Sequence, residues 1–207
     1  MGNESSKSSN SNRMAVSAVA HMMRITKPQL LALRDKCLSV SDTGASSGCY
    51  RLTRLSFANA MLEMNVAYEP DYQIMEKLFV MWDIDGVGWV DPLEFFAGLG
   101  PLASVMDVAT KLQFSLEVYD HEKTGRLNRD DLMTVLSAIN TTSSYLGDAV
   151  LRRSQIRRIV NDQFEDEYED AEESLMICTE NVLKMTSHPL MFAFTAGAGT
   201  ARYGTAQ

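Results

Sequence analysis

A segment in the middle of the chain carries oxygen-bearing side chains at the intervals that a bound cation needs. Ca²⁺ takes about 6–8 oxygen ligands, and a twelve-residue loop supplies them from positions 1, 3, 5, 7, 9 and 12 around a glycine at position 6. A loop that starts at Asp83 places Gly88 at this turn. Val87, at position 5, has no side-chain oxygen, so water must replace it and the site should be weaker than a full one. The predicted metal ligands of this first loop are Asp83, Asp85, Trp89 through its carbonyl, Asp91 and Glu94.

A second loop repeats the arrangement 37 residues later, with Gly125 at the turn. Its last ligand, Asp131, is a methylene shorter than Glu, which disfavours bidentate capture of Ca²⁺ and shifts the preference toward the smaller Mg²⁺. Three basic side chains in or beside this loop also oppose a cation. The predicted ligands are Asp120, Glu122, Thr124, Arg126 through its carbonyl, Asn128 and Asp131. His121 takes a non-ligand position and is predicted to face solvent.

Helices must hold these loops in place, and the apolar residues recur at helical spacing on both sides of each loop. The pattern predicts helices over about 71–82, from Pro92 onward, over 108–119, over about 129–139 and over 146–164. An earlier helix is predicted to begin after an N-cap at Thr26, with Pro28 in its first turn. A helix–loop–helix unit repeated at this period is typical of paired EF-hands. The alternative is a pair of EF-hands that serve the fold and stay empty.

Two further hands are expected to flank the pair, and both look degenerate. Upstream, Ser41–Arg54 lacks acids at positions 1, 3 and 5. Downstream, Glu165–Glu173 holds seven acids in nine residues but no glycine, which indicates a solvated or disordered face rather than a metal site. The alternative for this run is a diffuse contact with cations or a basic peptide. The predicted fold is therefore all-α, a two-lobe EF-hand protein with degenerate first and fourth hands. The predicted divisions are a flexible tail over 1–13, lobes over 14–104 and 105–194, and a flexible tail over 195–207.

The composition narrows the class of protein. The 207 residues carry 19 basic and 27 acidic side chains, a net charge of −8, which argues against nucleic-acid binding because phosphates need a Lys/Arg excess. This whole excess of acids lies in Asp162–Glu173, which has eight acids and no basic residue. The 3 scattered cysteines suit a reducing, cytoplasmic setting. No metalloprotease, nucleophile-elbow or phosphate-loop motif occurs, so no enzymatic activity is predicted.

The start of the chain carries a modification signal. Its first six residues, Met-Gly-Asn-Glu-Ser-Ser, fit the pattern for N-myristoylation of Gly2. Chance is the alternative, because the pattern is short. One myristoyl chain gives only marginal membrane binding, so the predicted membrane contact is reversible or partner-assisted.

These residues resemble the EF-hand calcium-sensor superfamily. Similarity to the calcineurin B family, the myristoylated regulatory subunits of a phosphatase, lies in the start MGNESS and in KLQFSLEVYDHEKTGRLNRDDL. The stretch from about 52 to 194, with LTRLSFANAMLEM and LEVYD, looks more like the calaxin family of axonemal sensors linked to outer dynein arms. The first resemblance implies a phosphatase catalytic subunit as partner. The second implies axonemal dynein or docking-complex proteins in a cilium or flagellum.

The chain departs from both families. Calcineurin-B-like proteins imply four working loops, whereas this chain has at most two, and calaxin-like proteins do not imply a myristoylated tail. The predicted function is a Ca²⁺-binding regulatory protein in which ion binding changes the angle between helices and exposes an apolar groove for an amphipathic partner helix. The alternative from another class is a structural adaptor whose hands stay fixed at any Ca²⁺ level.

Overall fold

The computed structural model describes residues 24–43, 49–65, 69–99, 108–123, 125, 127–146, 150–165 and 187, and this part of the chain is mostly helical. Its three short strands are β1 (Asp42–Thr43), β2 (Tyr50–Thr53) and β3 (Trp89–Val90), paired antiparallel in the order β1-β2-β3. The helices are α1 (Lys27–Ser39), α2 (Arg54–Glu63), α3 (Glu69–Trp82), α4 (Pro92–Leu99), α5 (Val108–Tyr119), α6 (Arg129–Leu146) and α7 (Arg153–Glu165). The predicted helical class is confirmed at this coarse level.

Side-chain caps fix where the first two helices begin. The Thr26 hydroxyl accepts a hydrogen bond from the Gln29 N–H, while the Gln29 side chain accepts one from the Thr26 N–H at 3.0 Å. This reciprocal pair is a capping box, and it confirms the predicted N-cap of α1. Thr53 caps α2 in a simpler way, because its hydroxyl accepts from the Ser56 N–H at 3.2 Å.

Helix α6 is longer than its sequence pattern predicts. The pattern ends the helix near Ile139, but α6 continues to Leu146 through a polar stretch. Within that stretch the buried Thr142 hydroxyl donates to the Gly98 carbonyl at 2.8 Å. A contact with α4 therefore supports helical turns that apolar periodicity alone does not reveal.

Helix α7 begins later than predicted, at Arg153 rather than near Leu146. The side-chain amide of Asn140 holds the residues just before it. Its Nδ2 donates to the Leu151 carbonyl at 3.1 Å, and its Oδ1 accepts from the Leu151 N–H at 2.8 Å. Because both backbone groups of Leu151 are bound in this way, they are not available to a helical ladder.

The buried side chains form one core that includes residues of both predicted lobes. Helix α4 lies at its centre and packs against α1, α5 and α6. Gly98 lets α4 approach its neighbours, since a Cβ placed there would lie 2.3 Å from the Trp82 ring and 2.9 Å from the Ala138 carbonyl oxygen. A side chain at this position would have no room. Among the helices in the described ranges, none has both the length and the apolar character to cross a membrane.

Candidate metal centre

The first loop folds around the carboxylate of its first residue. Oδ1 of Asp83 accepts from the Val87 N–H at 2.8 Å, and Oδ2 accepts from the Gly88 N–H at 2.9 Å. The backbone turns at Gly86 and Gly88, whose φ angles of +65° and +83° are in the left-handed region that glycine adopts without strain. The turn predicted at Gly88 is thus present.

The far side of this loop is the start of α4. Oδ1 of Asp91 accepts from the Leu93 N–H at 2.8 Å and from the Glu94 N–H at 3.3 Å, so Asp91 caps the helix. Burial raises the pKa of the Asp91 carboxyl, although these backbone bonds oppose the rise. Burial also raises the pKa of Glu94, and the nearby charge of Asp91 raises it further. A cation placed between the two carboxylates would relieve this repulsion.

The remaining positions of the first loop are more open. Asp85 is exposed, and Val87 is 56% exposed with its N–H bound to Asp83. Trp89 is half-buried, and the Arg51 guanidinium lies 5.0 Å from the centre of its ring. The solvent-facing side at Val87 leaves room for the water that the sequence requires at position 5.

A second segment lies directly beside this loop. Strand β2 pairs with β3, so that Leu52 faces Val90 and Thr53 faces Trp89. Leu52 and Val90 are both buried. Each is followed at once by a residue that caps a helix, Thr53 in one segment and Asp91 in the other. The upstream segment Ser41–Arg54, predicted to be a degenerate hand, therefore pairs with the acidic loop Asp83–Glu94 at matching positions.

The second loop repeats part of this geometry. The Asp120 carboxylate accepts from the Gly125 N–H at 2.8 Å, and Gly125 has φ +67°. Asn128 caps α6, since its Oδ1 accepts from the Asp131 N–H at 2.8 Å. In return, Oδ2 of Asp131 accepts from the Asn128 N–H at 3.1 Å, which completes a capping box.

The last acid of each loop is therefore placed differently. The carboxylate of Asp131 reaches back to the helix cap, whereas that of Glu94 accepts no hydrogen bond from any described residue. Glu122 is exposed. Three predicted positions, Thr124, Arg126 and the acylation site Gly2, lie outside the described residues. This comparison makes the first loop the better candidate for an ion.

The two acidic loops lie near one another. Burial raises the pKa of the Tyr119 phenol to about 12, and the charges of Asp131, Asp91 and Glu94 add to the rise. Carboxylates from both loops are thus close enough to the same side chain to affect its titration. The phenol of Tyr119 lies beside the two candidate sites, and sequence reasoning did not single it out.

The prediction that His121 faces solvent is wrong. Its Nε2 lies 3.3 Å from the Tyr50 hydroxyl, and the two rings meet edge to face with centroids 5.7 Å apart. The His121 charge also slightly lowers the pKa of Asp91 in the first loop. The turn after α5 packs against β2, so His121 connects the second loop to the segment that pairs with the first.

Arg34 is a second residue that sequence reasoning missed. It is only 4% exposed, and its Nη1 donates to the carbonyls of Glu117 at 3.1 Å and Val118 at 3.0 Å. Its charge is paired with Asp35, and Lys27 forms a salt bridge of 2.6 Å with the Glu117 carboxylate. These carbonyls belong to the last turn of α5, where the helix has no partner for them. Helix α1 therefore holds the end of α5 just before the second loop.

The carboxylates of the loops are not drawn together in this geometry. Within the ranges that the structure describes, no three His, Cys, Asp or Glu side chains form a group that could hold a metal ion. The donor set of the first loop nevertheless fits a hard divalent cation, because it consists of carboxylate oxygens with a glycine turn between them. Ion binding would require Asp83, Asp85 and Glu94 to move closer to one another.

Comparison with known proteins adds no assignment to this chain. No family model matches it, and no solved structure matches it. A function for the chain has to rest on the chemistry and geometry of its own loops.

Proposed function

We propose that the chain is a Ca²⁺-binding regulatory protein of the EF-hand type, with the loop from Asp83 to Glu94 as its main ion site. The observation that carries this proposal is the pairing of Leu52 with Val90. Both are buried strand residues next to a helix cap, and they join an acidic loop to an acid-poor one in a side-by-side pair. Paired helix–loop–helix units of this kind support a two-loop calcium module.

The chemistry of the first loop would link ion binding to helix movement. Asp83 and Asp85 lie before the turn, whereas Asp91 and Glu94 lie at the start of α4. A Ca²⁺ ion that binds both sides has to draw Glu94 toward Asp83. Since Glu94 is in the first turn of α4, this movement displaces the helix and changes its packing. The expected outcome is an apolar surface for an amphipathic partner helix.

The second loop is proposed as a weaker site that takes Mg²⁺ or stays empty. Its last acid, Asp131, is short and already accepts a bond from the Asn128 N–H. Binding an ion would require this capping bond to break or lengthen, which opposes affinity. The second loop therefore contributes less to Ca²⁺ sensing than the first.

A calcium-independent structural adaptor is the second candidate function, and one observation favours it. The buried Arg34 holds the end of α5 through two backbone carbonyls, and a shared core joins α4 to α6. Such contacts oppose a change in the angle between helices. In an adaptor the hands would present a fixed surface at any Ca²⁺ level.

Tryptophan fluorescence distinguishes the two functions, because Trp82 directly precedes the first loop and Trp89 lies within it. A sensor should show a saturable fluorescence change on Ca²⁺ titration from micromolar to millimolar, and Glu94→Gln should remove it. The matched control is Asp130→Asn, which removes an exposed acid at a non-ligand position. If Ca²⁺ does not change the fluorescence of the wild type, and Glu94→Gln behaves in the same way, the sensor function is contradicted and the structural adaptor remains as the function.

The partner and the acyl group need separate measurements. On the calaxin-like proposal, affinity purification should recover axonemal dynein or docking-complex proteins, and the chain should localise to a cilium or flagellum. On the calcineurin-B-like proposal it should recover a phosphatase catalytic subunit. Mass spectrometry of the N-terminal peptide decides whether Gly2 carries myristate, since the modification adds one acyl chain of known mass.

A further inference from the structure

Helix α7 presents a cationic face to solvent. Four exposed arginines occupy its N-cap and first two turns, namely Arg152, Arg153, Arg157 and Arg158. The opposite face is apolar and buried in the core through Ile156, Ile159 and Val160. The arginines are therefore held outward by the packing of the helix that carries them.

The stability of the helix does not explain this arrangement. The N-terminal end of a helix has a partial positive charge, so cations are unfavourable there, and α7 has no acid in its first turn. Arg153 and Arg157 are four residues apart on the same stripe, where like charges repel. Among the described residues, no carboxylate forms a salt bridge with any of the four. The four charges therefore do not stabilise the helix that carries them, and their exposed position leaves them available to a partner of opposite charge.

The chemistry of the face suits an array of phosphate groups. Guanidinium groups bind phosphate oxygens in a bidentate manner and remain charged at any physiological pH. The two arginine pairs are about 7 Å apart along the helix axis, from a rise of 1.5 Å per residue. Arg153 and Arg157 lie on one stripe of the helix, and Arg158 lies about 100° further round it, so the exposed half of α7 can present these side chains to an extended anionic surface.

We propose that this arginine face of α7 docks on a membrane surface that contains anionic lipid. The apolar side of α7 is already used by the core, so the contact is electrostatic and the helix does not insert. An acidic protein would offer the same charge. The membrane is favoured because the chain starts with an acylation pattern at Gly2, and a single acyl chain needs a second signal such as a basic patch.

Vesicle co-sedimentation tests this proposal on the full chain, with and without myristate, in EDTA so that the result is independent of Ca²⁺ binding. The vesicles are phosphatidylcholine alone or phosphatidylcholine with phosphatidylserine. Binding should require phosphatidylserine and fall as salt rises, because a screened surface charge attracts less. Arg153→Gln with Arg157→Gln should weaken binding of the acylated chain roughly tenfold.

The matched control is Arg24→Gln with Lys77→Gln, which removes the same charge at exposed sites outside α7 and should bind like wild type. Circular dichroism verifies that both double variants keep their helices, as expected from the similar helix propensities of Arg and Gln. Equal losses in the two double variants would overturn the proposal. So would an acylated chain that ignores phosphatidylserine, or a poly-glutamate peptide that binds through these arginines when vesicles do not.

Discussion

Arg34 donates a hydrogen bond of 3.0 Å to the backbone carbonyl of Val118, a residue 84 positions further along the chain. The same nitrogen also bonds the neighbouring Glu117 carbonyl. A buried guanidinium in α1 thus takes the place of a C-terminal cap for α5. The orientation of the helix that enters the second loop depends on a residue far from that loop in sequence.

Replacing Arg34 by Met should destabilise the fold by about 2–3 kcal/mol, because the buried Val118 carbonyl and the partly buried Glu117 carbonyl lose their donor. Chemical unfolding monitored by circular dichroism measures the change in the free energy of unfolding. Lys36→Met on the same helix is the control, and losing its partly exposed salt bridge with Glu63 should cost less than about 1 kcal/mol. Similar losses from both substitutions would contradict a capping role for Arg34.

Gly98→Ala should destabilise the protein by about 1–3 kcal/mol, since the added methyl group meets the Trp82 ring and the Ala138 carbonyl. Thermal unfolding is the measurement. In a Trp82→Leu background the same substitution should cost less, because the closest clash is with the indole. An unchanged cost in that background would show that the ring does not limit the approach of the helices.

Tyr50 and His121 should be energetically coupled across 71 residues of sequence. A double-mutant cycle with Tyr50→Phe and His121→Ala should give a coupling energy of about 0.5–1 kcal/mol, the usual contribution of one such hydrogen bond. Unfolding by urea at pH 7 supplies the four free energies. Strictly additive effects would mean that the contact does not connect the second loop to β2.

Glu94→Gln should stabilise the ion-free protein at neutral pH and remove its stabilisation by Ca²⁺. The folded-state pKa of Glu94 lies above its ordinary value of 4.5, mainly through burial. Because the pKa is raised, the contribution of Glu94 to the free energy of unfolding is fully present below about pH 4.5 and is lost as pH rises through the folded-state value. At pH 7 the charged carboxylate is therefore unfavourable without a cation, and a neutral amide avoids this.

The measurement for this prediction is the melting temperature with EDTA and with Ca²⁺. The wild type should gain stability with Ca²⁺, whereas Glu94→Gln should start higher and gain nothing. Asp130→Asn serves again as the control and should gain as the wild type does. A Glu94→Gln protein that is less stable than wild type in EDTA would contradict the prediction that the charged Glu94 carboxylate destabilises the ion-free fold.

Much of the local structure follows from local chemistry. The cap at Thr26, the start of α4 at Pro92 and the turns at Gly88 and Gly125 depend on side chains within a few residues, so sequence spacing predicts them. The contacts of Arg34 do not follow in this way, because the residues that satisfy a buried cation are brought close only by the fold.

The candidate site likewise combines features that sequence spacing predicts with features that depend on the packing of the fold. The positions of Asp83 and Asp91 in the first loop follow from their spacing, whereas the proximity of the second loop does not. It depends on α5 packing against α1, which places His121 beside Tyr50. The extension of α6 beyond Ile139 has a similar cause in the bond between Thr142 and Gly98. The roles of Thr124, Arg126 and Gly2 stay predictions.

The burial of α4 has a consequence for how the molecule melts and moves. Almost every residue of the helix is enclosed, and it contacts α1, α5 and α6 at once. Such a helix cannot come loose while its neighbours stay in place. The described helices should therefore lose their structure in a single cooperative transition rather than lobe by lobe, and any displacement that begins at Glu94 becomes a shared motion of four helices.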